Sequence, residues 1–173
     1  MHKIENKIIW LTGLSGSGKS TLANLLKNKL TNLQKKVKII DGDLFRKERK
    51  HFKFTKKDIY LNNLRIIKYI ERYYKKYNFT IVSVISPLSK SRTYAKNFFK
   101  ENYFEIFVNC KISTLVKRDV KGLYKKAKSG LIRNLIGFNS YIKYEKSTYK
   151  VISINTDKEN KISSVKKILK AVY

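Results

Sequence analysis

Gly13, Leu14, Ser15, Gly16, Ser17, Gly18, Lys19 and Ser20 form one unbroken run that satisfies G-x-x-x-x-G-K-[S/T]. Such a run binds anions. Glycines let consecutive backbone N–H groups converge on phosphate oxygens, and a helix opening at the end of the loop adds a partial positive charge. Lys19 then reaches the β- and γ-phosphates, the Ser20 hydroxyl ligates Mg²⁺, and Thr21 stands near the α-phosphate. The context supports this, because an apolar strand (Ile8, Ile9, Trp10, Leu11) precedes the run and Leu22, Leu25, Leu26 and Leu30 follow at helical spacing. The run reads as a nucleoside-triphosphate site.

A second group of chemically able residues is Asp41-Gly42-Asp43, with Arg46 three positions on. A carboxylate at the carboxyl end of a strand beside a phosphate loop can hold Mg²⁺ or accept the proton of an attacking hydroxyl. Arg46 can pair with an anionic group of the acceptor. A GTPase is excluded on motif grounds: Asn-Lys-x-Asp is absent. Asp119-Val120-Lys121-Gly122 fits D-x-x-G only far downstream and after a helix pattern.

Alternating strands and helices must position these groups. β-Branched and apolar runs predict strands at 7–12, 37–41, 79–85, 104–109 and 151–155. Helical periodicity predicts helices at 20–34, 57–76, 91–101, 113–119 and 161–172, with Leu61, Leu64, Ile67 and Ile70 forming one apolar stripe. The alternation implies an α/β fold, a five-stranded, mostly parallel sheet with helices on both faces. Residues 120–149 break the rhythm and read as a long mobile excursion. Only seven glycines occur, and three of them lie in the phosphate loop.

Composition narrows the partners. The chain has 173 residues, enough for one domain over 1–173. Its 42% hydrophobic content is too high for a disordered basic tail. No apolar run approaches a membrane span, and residues 1–6 lack a signal-peptide layout, so no membrane partner is expected. The lone Cys110 rules out an internal disulfide and points to a reducing, cytoplasmic setting. A net charge of +28 suggests nucleic acid at first sight. Yet residues 1–86 and 87–173 each hold 20 basic and 6 acidic residues, and Lys outnumbers Arg 33 to 7. An even, lysine-rich distribution is not a basic arm and lacks the guanidinium groups that read phosphate and bases best. The abundance of Lys, Ile, Asn and Tyr follows A/T-rich codons, so no nucleic-acid partner is expected.

Over nearly its whole length the sequence resembles the adenylylsulfate kinases, phosphate-loop enzymes that phosphorylate the ribose 3′-hydroxyl of adenylyl sulfate. The resemblance rests on GLSGSGKST at 13–21, DGDLFR at 41–46, FTKKDIYLN at 54–62, ISP at 85–87, RDVKGLYKKAK at 118–128, residues 137–145, and NTD at 155–157. It implies the P-loop NTPase fold, ATP and Mg²⁺ as cofactors, a small-molecule nucleotide acceptor and a homodimer. Residue by residue, it makes Asp43 the general-base carboxylate and, with Ser20, a metal ligand. Arg46, Phe54, Asn62, Ile85 and Ser86 match acceptor-binding positions. Lys121, Gly122 and Leu123 match a mobile lid (about 120–149), with Lys121 offsetting charge in transfer. Ser86 matches a serine proposed as a phosphoenzyme nucleophile. In-line transfer needs no covalent step and no base for Ser86 is evident nearby, so a turn hydroxyl is the expected role.

Departures cluster on the acceptor side. Leu44 replaces an asparagine and Ile59 an arginine. Leu135-Ile136-Gly137-Phe138-Asn139 stands where the family has FTGID, so Leu135 replaces the ring that stacks on the acceptor base and Asn139 an acid. One residue is missing between Arg46 and Phe54, and two enter before Tyr144-Glu145. Losing a cation and a stacking ring weakens binding by about 1–3 kcal/mol each. The first expectation is therefore a variant acceptor, cytidine diphosphoramidate, on a route to capsule phosphoramidate. Its smaller base and neutral amidate need less stacking and less cation. The alternative is adenylyl sulfate itself, in sulfate assimilation.

Overall fold

The computed structural model describes residues 6–48 and 54–173. The one-residue deficit between Arg46 and Phe54 involves residues 49–53, and the early part of the signal-peptide reading involves 1–5. Both lie outside the described residues.

The chain runs β1 (Lys7–Thr12), α1 (Lys19–Asn32), β2 (Val37–Asp41), α2 (Gly42–Glu48), α3 (Lys56–Tyr73), β3 (Phe79–Ser83), α4 (Ser89–Phe99), β4 (Tyr103–Asn109), α5 (Ile112–Arg118), α6 (Leu123–Lys128), β5 (Ile152–Asn155) and α7 (Lys161–Val172). The sheet order is β2-β3-β1-β4-β5, and every pairing is parallel. The expected P-loop α/β fold is therefore present, and its sheet is wholly rather than mostly parallel. No helix among the described residues is long and apolar enough to cross a membrane.

Both faces of the sheet are covered, which explains the near-continuous apolar strands. Along β1, Ile9 and Leu11 pack with α1 and α7 through Leu22, Leu26, Leu30, Val165 and Ile168. Ile8 and Trp10 face the other way, onto Ile66, Ile67 and Ile70 of α3 and Ala95 and Phe99 of α4. The predicted stripe on 57–76 was right in kind, but its buried face is centred on Ile59, Asn62, Ile66 and Ile70 rather than on Leu61 and Leu64. Thr55 starts α3 with a capping box: its hydroxyl accepts from the Asp58 N–H, and the Asp58 carboxylate accepts from the Thr55 N–H.

Two helices were not foreseen. Asp41 ends β2 and its carboxylate accepts the N–H groups of Asp43 and Leu44, so the chain turns at once into α2. Likewise Asp119 accepts from the N–H groups of Tyr124 and Lys125 and starts α6 inside the stretch read as irregular. The D-x-x-G match is thus a helix cap.

Gly13 marks where β1 becomes the loop. Its φ is +141°, and a Cβ there would lie 2.4 Å from the Val108 carbonyl oxygen of β4. Gly13→Ala should lower stability by about 1–3 kcal/mol. A urea unfolding curve checks this, and an unchanged midpoint contradicts it.

Candidate functional site

Parallel strands deliver their carboxyl ends to one edge of the sheet, where an open α/β sheet binds ligands. The loop 13–18 leaves central β1 there, between the ends of β3 and β4. Gly18 (φ +100°) caps α1, so the first N–H groups of a 14-residue helix open into the loop. The Lys19 ammonium folds back and donates to the Leu14 carbonyl at 2.7 Å. Burial pulls its pKa down to about 8; Asp43 and Asp41 oppose that shift and Lys121 adds to it.

The two carboxylates of Asp41-Gly42-Asp43 separate. Asp41 Oδ2 accepts from the Ser20 hydroxyl at 3.1 Å, and the Ser83 hydroxyl stands 3.3 Å from Ser20. Asp43 instead receives the Lys121 ammonium at 2.5 Å, across 78 residues of chain. Both partners are largely exposed, so the pair contributes little stability. The sequence reading gave the metal to Ser20 and Asp43. The structure brings Asp41 to Ser20 and leaves Asp43 facing the lysine. Ser20, Asp41 and Ser83 offer hard oxygen donors beside the phosphate loop, a set that suits Mg²⁺. One cleft is lined by Lys19, Ser20, Asp41, Asp43, Ile85 and Lys121.

The acceptor-side residues share an unusual property. Asn62 is 1% exposed, and neither its amide nitrogen nor its oxygen has a partner among the described residues; the Ser86 hydroxyl and one Arg46 guanidinium nitrogen are likewise buried and unpaired there. Such groups cost about 1–3 kcal/mol each unless something meets them. The Arg46 guanidinium lies 4.4 Å from the Phe54 ring centre, and burial pulls its pKa down against Asp43 and Asp58. Phe54 is 44% exposed, and its carbonyl accepts from the Asn134 amide.

Residues 120–149 fold over this region. Gly137 sits against the Leu14 side chain, where a Cβ would lie 2.5 Å away. Leu135 is buried with Cys110, Leu115 and Tyr124, while Leu123 packs against the same group. Gly122 has φ +64° and caps α6. Phe138, three residues after Leu135, is 37% exposed and meets Tyr124 edge-to-face at 5.5 Å. Ile59 is buried with Leu88, Ile136 and Ile142, and Ile85 packs against them. That apolar cluster fills the position of the family's arginine.

Sequence reasoning assigned no role to Arg118 or Thr156, and it named Asp41 only together with Asp43. Arg118 donates to the Thr156 carbonyl at 2.7 Å, and the Thr156 hydroxyl donates to the Ser17 carbonyl at 3.1 Å, which ties the ends of α5 and β5 to the phosphate loop. A second cleft opens there between Gly18, Thr21, Arg118, Thr156, Asn160 and Ile162. It shares Gly16, Gly18, Thr21 and Val120 with the first cleft but is not lined by Asp43. Arg118 and Thr156 lie inside two of the resembling stretches, but their meeting across 38 residues is invisible in spacing.

Comparison with known proteins places this geometry. The family model described as adenylylsulphate kinase matches residues 5–155. A probable adenylyl-sulfate kinase of Archaeoglobus fulgidus is 36% identical over 155 residues, covering 89% of this chain and 98% of its own. The adenylyl-sulfate kinase of Clostridium acetobutylicum is 33% identical over 170 residues, covering 98% and 84%. Among solved structures, the Mycobacterium tuberculosis APS kinase CysC, in complex with AMPPNP and APS, superposes with a TM-score of 0.86 at 27% identity over 96% of both chains.

Lys19 makes nucleotide binding depend on pH. Phosphate oxygens favour its charged form, which the free protein begins to lose at about pH 8. Triphosphate affinity should be full below pH 8 and fall by up to tenfold per pH unit above it. For folding the sign is opposite: the unfolded lysine keeps its proton to about 10.5, so stability from this group rises with pH from 8 to 10.5. Titration with a fluorescent triphosphate analogue between pH 7 and 10 checks the first, and a flat profile contradicts it.

Proposed function

The chain belongs to the adenylylsulphate kinase family and is a nucleotide 3′-hydroxyl kinase; from that premise we propose that its acceptor is adenylyl sulfate, phosphorylated by ATP. The observation that carries the reading is that Arg46, Asn62 and Ser86, three acceptor-matching residues, each hold a buried polar atom with no partner among the described residues. A bound nucleotide with a charged tail supplies what they lack. The sequence alone ranked cytidine diphosphoramidate first because Leu135 replaces a stacking ring and Ile59 a cation. What supports an adenine acceptor is Phe54, an acceptor-matching ring that is half exposed with the Arg46 guanidinium over it.

In this mechanism the loop N–H groups and Lys19 hold the triphosphate, whose base enters the cleft beside Arg118 and Thr156. Ser20 and Asp41 would hold Mg²⁺, which would neutralise phosphate charge. The acceptor 3′-hydroxyl attacks the γ-phosphorus in line, its proton passes to the Asp43 carboxylate, and the bond to the β-phosphate oxygen breaks to release ADP. Lys121 stands against Asp43 and within reach of the transferring group, where its charge offsets that of the transition state. Residues 120–149 act as the lid. Ser86 takes no covalent part: its hydroxyl is buried, has no base beside it, and serves the acceptor. The lone Cys110 stays a thiol in the reducing cytoplasm where such an enzyme works.

One observation favours the second reading, cytidine diphosphoramidate. Ile59 is 2% exposed within an apolar cluster, so no cation stands where the family places one for an anionic tail.

Steady-state kinetics with ATP, Mg²⁺ and each acceptor separate the two. Adenylyl sulfate should give the higher kcat/KM; a tenfold preference for the cytidine nucleotide reverses the assignment. Asp43→Asn should lower kcat by about 10²–10⁴-fold and leave ATP affinity within threefold. Unchanged turnover removes Asp43 from the role of base.

A further inference from the structure

Arg92 has no place in the chemistry above, yet it is fully buried on α4. Its guanidinium donates to four partners in three separate segments. Nε meets Glu105 of β4 at 3.0 Å, Nη1 meets the Ser86 carbonyl at 2.5 Å, and Nη2 meets the Glu145 carbonyl at 2.5 Å. Both Nε and Nη2 also reach the Ser147 hydroxyl at 3.2 Å. A buried guanidinium is expensive unless its charge is met. Glu105 meets it, and its carboxylate further accepts from Ser147, from Tyr149 at 2.5 Å and from Tyr103 at 3.3 Å. Burial, with Glu105 adding to it, pushes both phenols up, so they remain donors.

The segments held are the two that frame the acceptor. Ser86 has φ +44°, a left-handed conformation that a side-chain-bearing residue rarely adopts, so this turn needs outside support. Its carbonyl is the one that Arg92 grips. The neighbouring Ile85 carbonyl accepts from the Thr12 hydroxyl at 2.6 Å, and the same hydroxyl meets Tyr144 at 2.9 Å. At the far end of the 120–149 segment, the Glu145 N–H donates to the Pro87 carbonyl at 2.8 Å. The Glu145 carboxylate accepts the Ser89 N–H and hydroxyl at 2.7 and 2.9 Å. The turn at 85–89 and the end of the lid are therefore one strapped unit. Arg92 lies beneath it and Glu105 anchors it to the sheet.

We infer that Arg92, with Glu105, is a positioning residue for the acceptor: it fixes the strained Ser86 turn and the end of the lid as one body, and leaves the triphosphate site to the loop. This rests on the kinase reading of the site and adds to it the element that sets acceptor geometry. The phosphate loop bonds to neither residue; outside itself it meets Tyr124 and Thr156, and its one bond to the turn is the Gly13 N–H donating to the Ile85 carbonyl at 3.3 Å. A defect in the strap should therefore weaken acceptor binding far more than triphosphate binding.

The test compares Arg92→Lys and Glu145→Ala with the wild type. Lysine keeps the buried charge beside Glu105 but cannot span Ser86 and Glu145 together. Glu145 is exposed, so its truncation leaves the core intact. With folding checked by thermal unfolding, KM for the preferred acceptor should rise about tenfold in both variants. Affinity for the ATP analogue should stay within twofold. A rise in acceptor KM below threefold in either folded variant, or an equal weakening of ATP, overturns the inference and leaves the pair a packing feature. A wild type without turnover on any nucleotide acceptor refutes the kinase reading itself, a distinct result.

Discussion

Everything in this molecule depends on β1 being the central strand of an all-parallel sheet. It pairs with β3 on one side and β4 on the other, and Ile8, Ile9, Trp10 and Leu11 are all fully buried. Parallel strands need helical crossovers, and crossovers on both faces leave no polar side for alternation. The same arrangement sends five strand ends to one edge. The phosphate loop, Asp41, the Ser83–Ser86 turn and Thr156 meet there without any being near another in sequence. Gly13 makes the exit from β1 feasible, because the Val108 carbonyl of β4 occupies the space a side chain would take.

Charge in this protein divides into a background and a few placed groups. The +28 is spread evenly along the chain, and most of it is solvated lysine. The placed charges are those the fold partly removes from water: Lys19, with its pKa pulled down by burial, Arg46 over Phe54, and Arg92 against Glu105. Their partners account for much of the scarce acid. Asp41 meets Ser20, Asp43 meets Lys121, Glu105 collects four donors, and Asp119 caps a helix. In a chain with 12 acidic residues, acids bonded this specifically are structural or chemical rather than solubilising.

The proposed acceptor pocket shows how a loss at one position is redistributed. Leu135 replaces a family aromatic, and the fold buries it among Cys110, Leu115 and Tyr124 while Phe138 supplies an exposed ring close by. Ile59 replaces a family cation and becomes part of a core shared with Ile85 and Ile136. Substitution by substitution the pocket looks impoverished. As a packed unit the proposed pocket keeps several polar atoms that no described residue meets.

The amino-acid sequence by itself determined the phosphate loop, the strand and helix alternation and the family, because each is a local pattern: residue types at fixed spacing, or apolar periodicity over ten or so residues. Even the limits of β1, β2 and α7 follow from it, since abrupt polarity changes bound them. The helices α2 and α6 escaped because their start signals, Asp41 and Asp119, invite a chemical reading before a capping one. Only the tertiary structure decided which carboxylate meets Ser20 and which meets Lys121, that Arg118 and Thr156 join, and that Arg92 gathers Ser86, Glu105 and Glu145. Those contacts join residues from 6 to 78 positions apart, and their partners are chosen by sheet order and crossover packing. No local spacing encodes that choice.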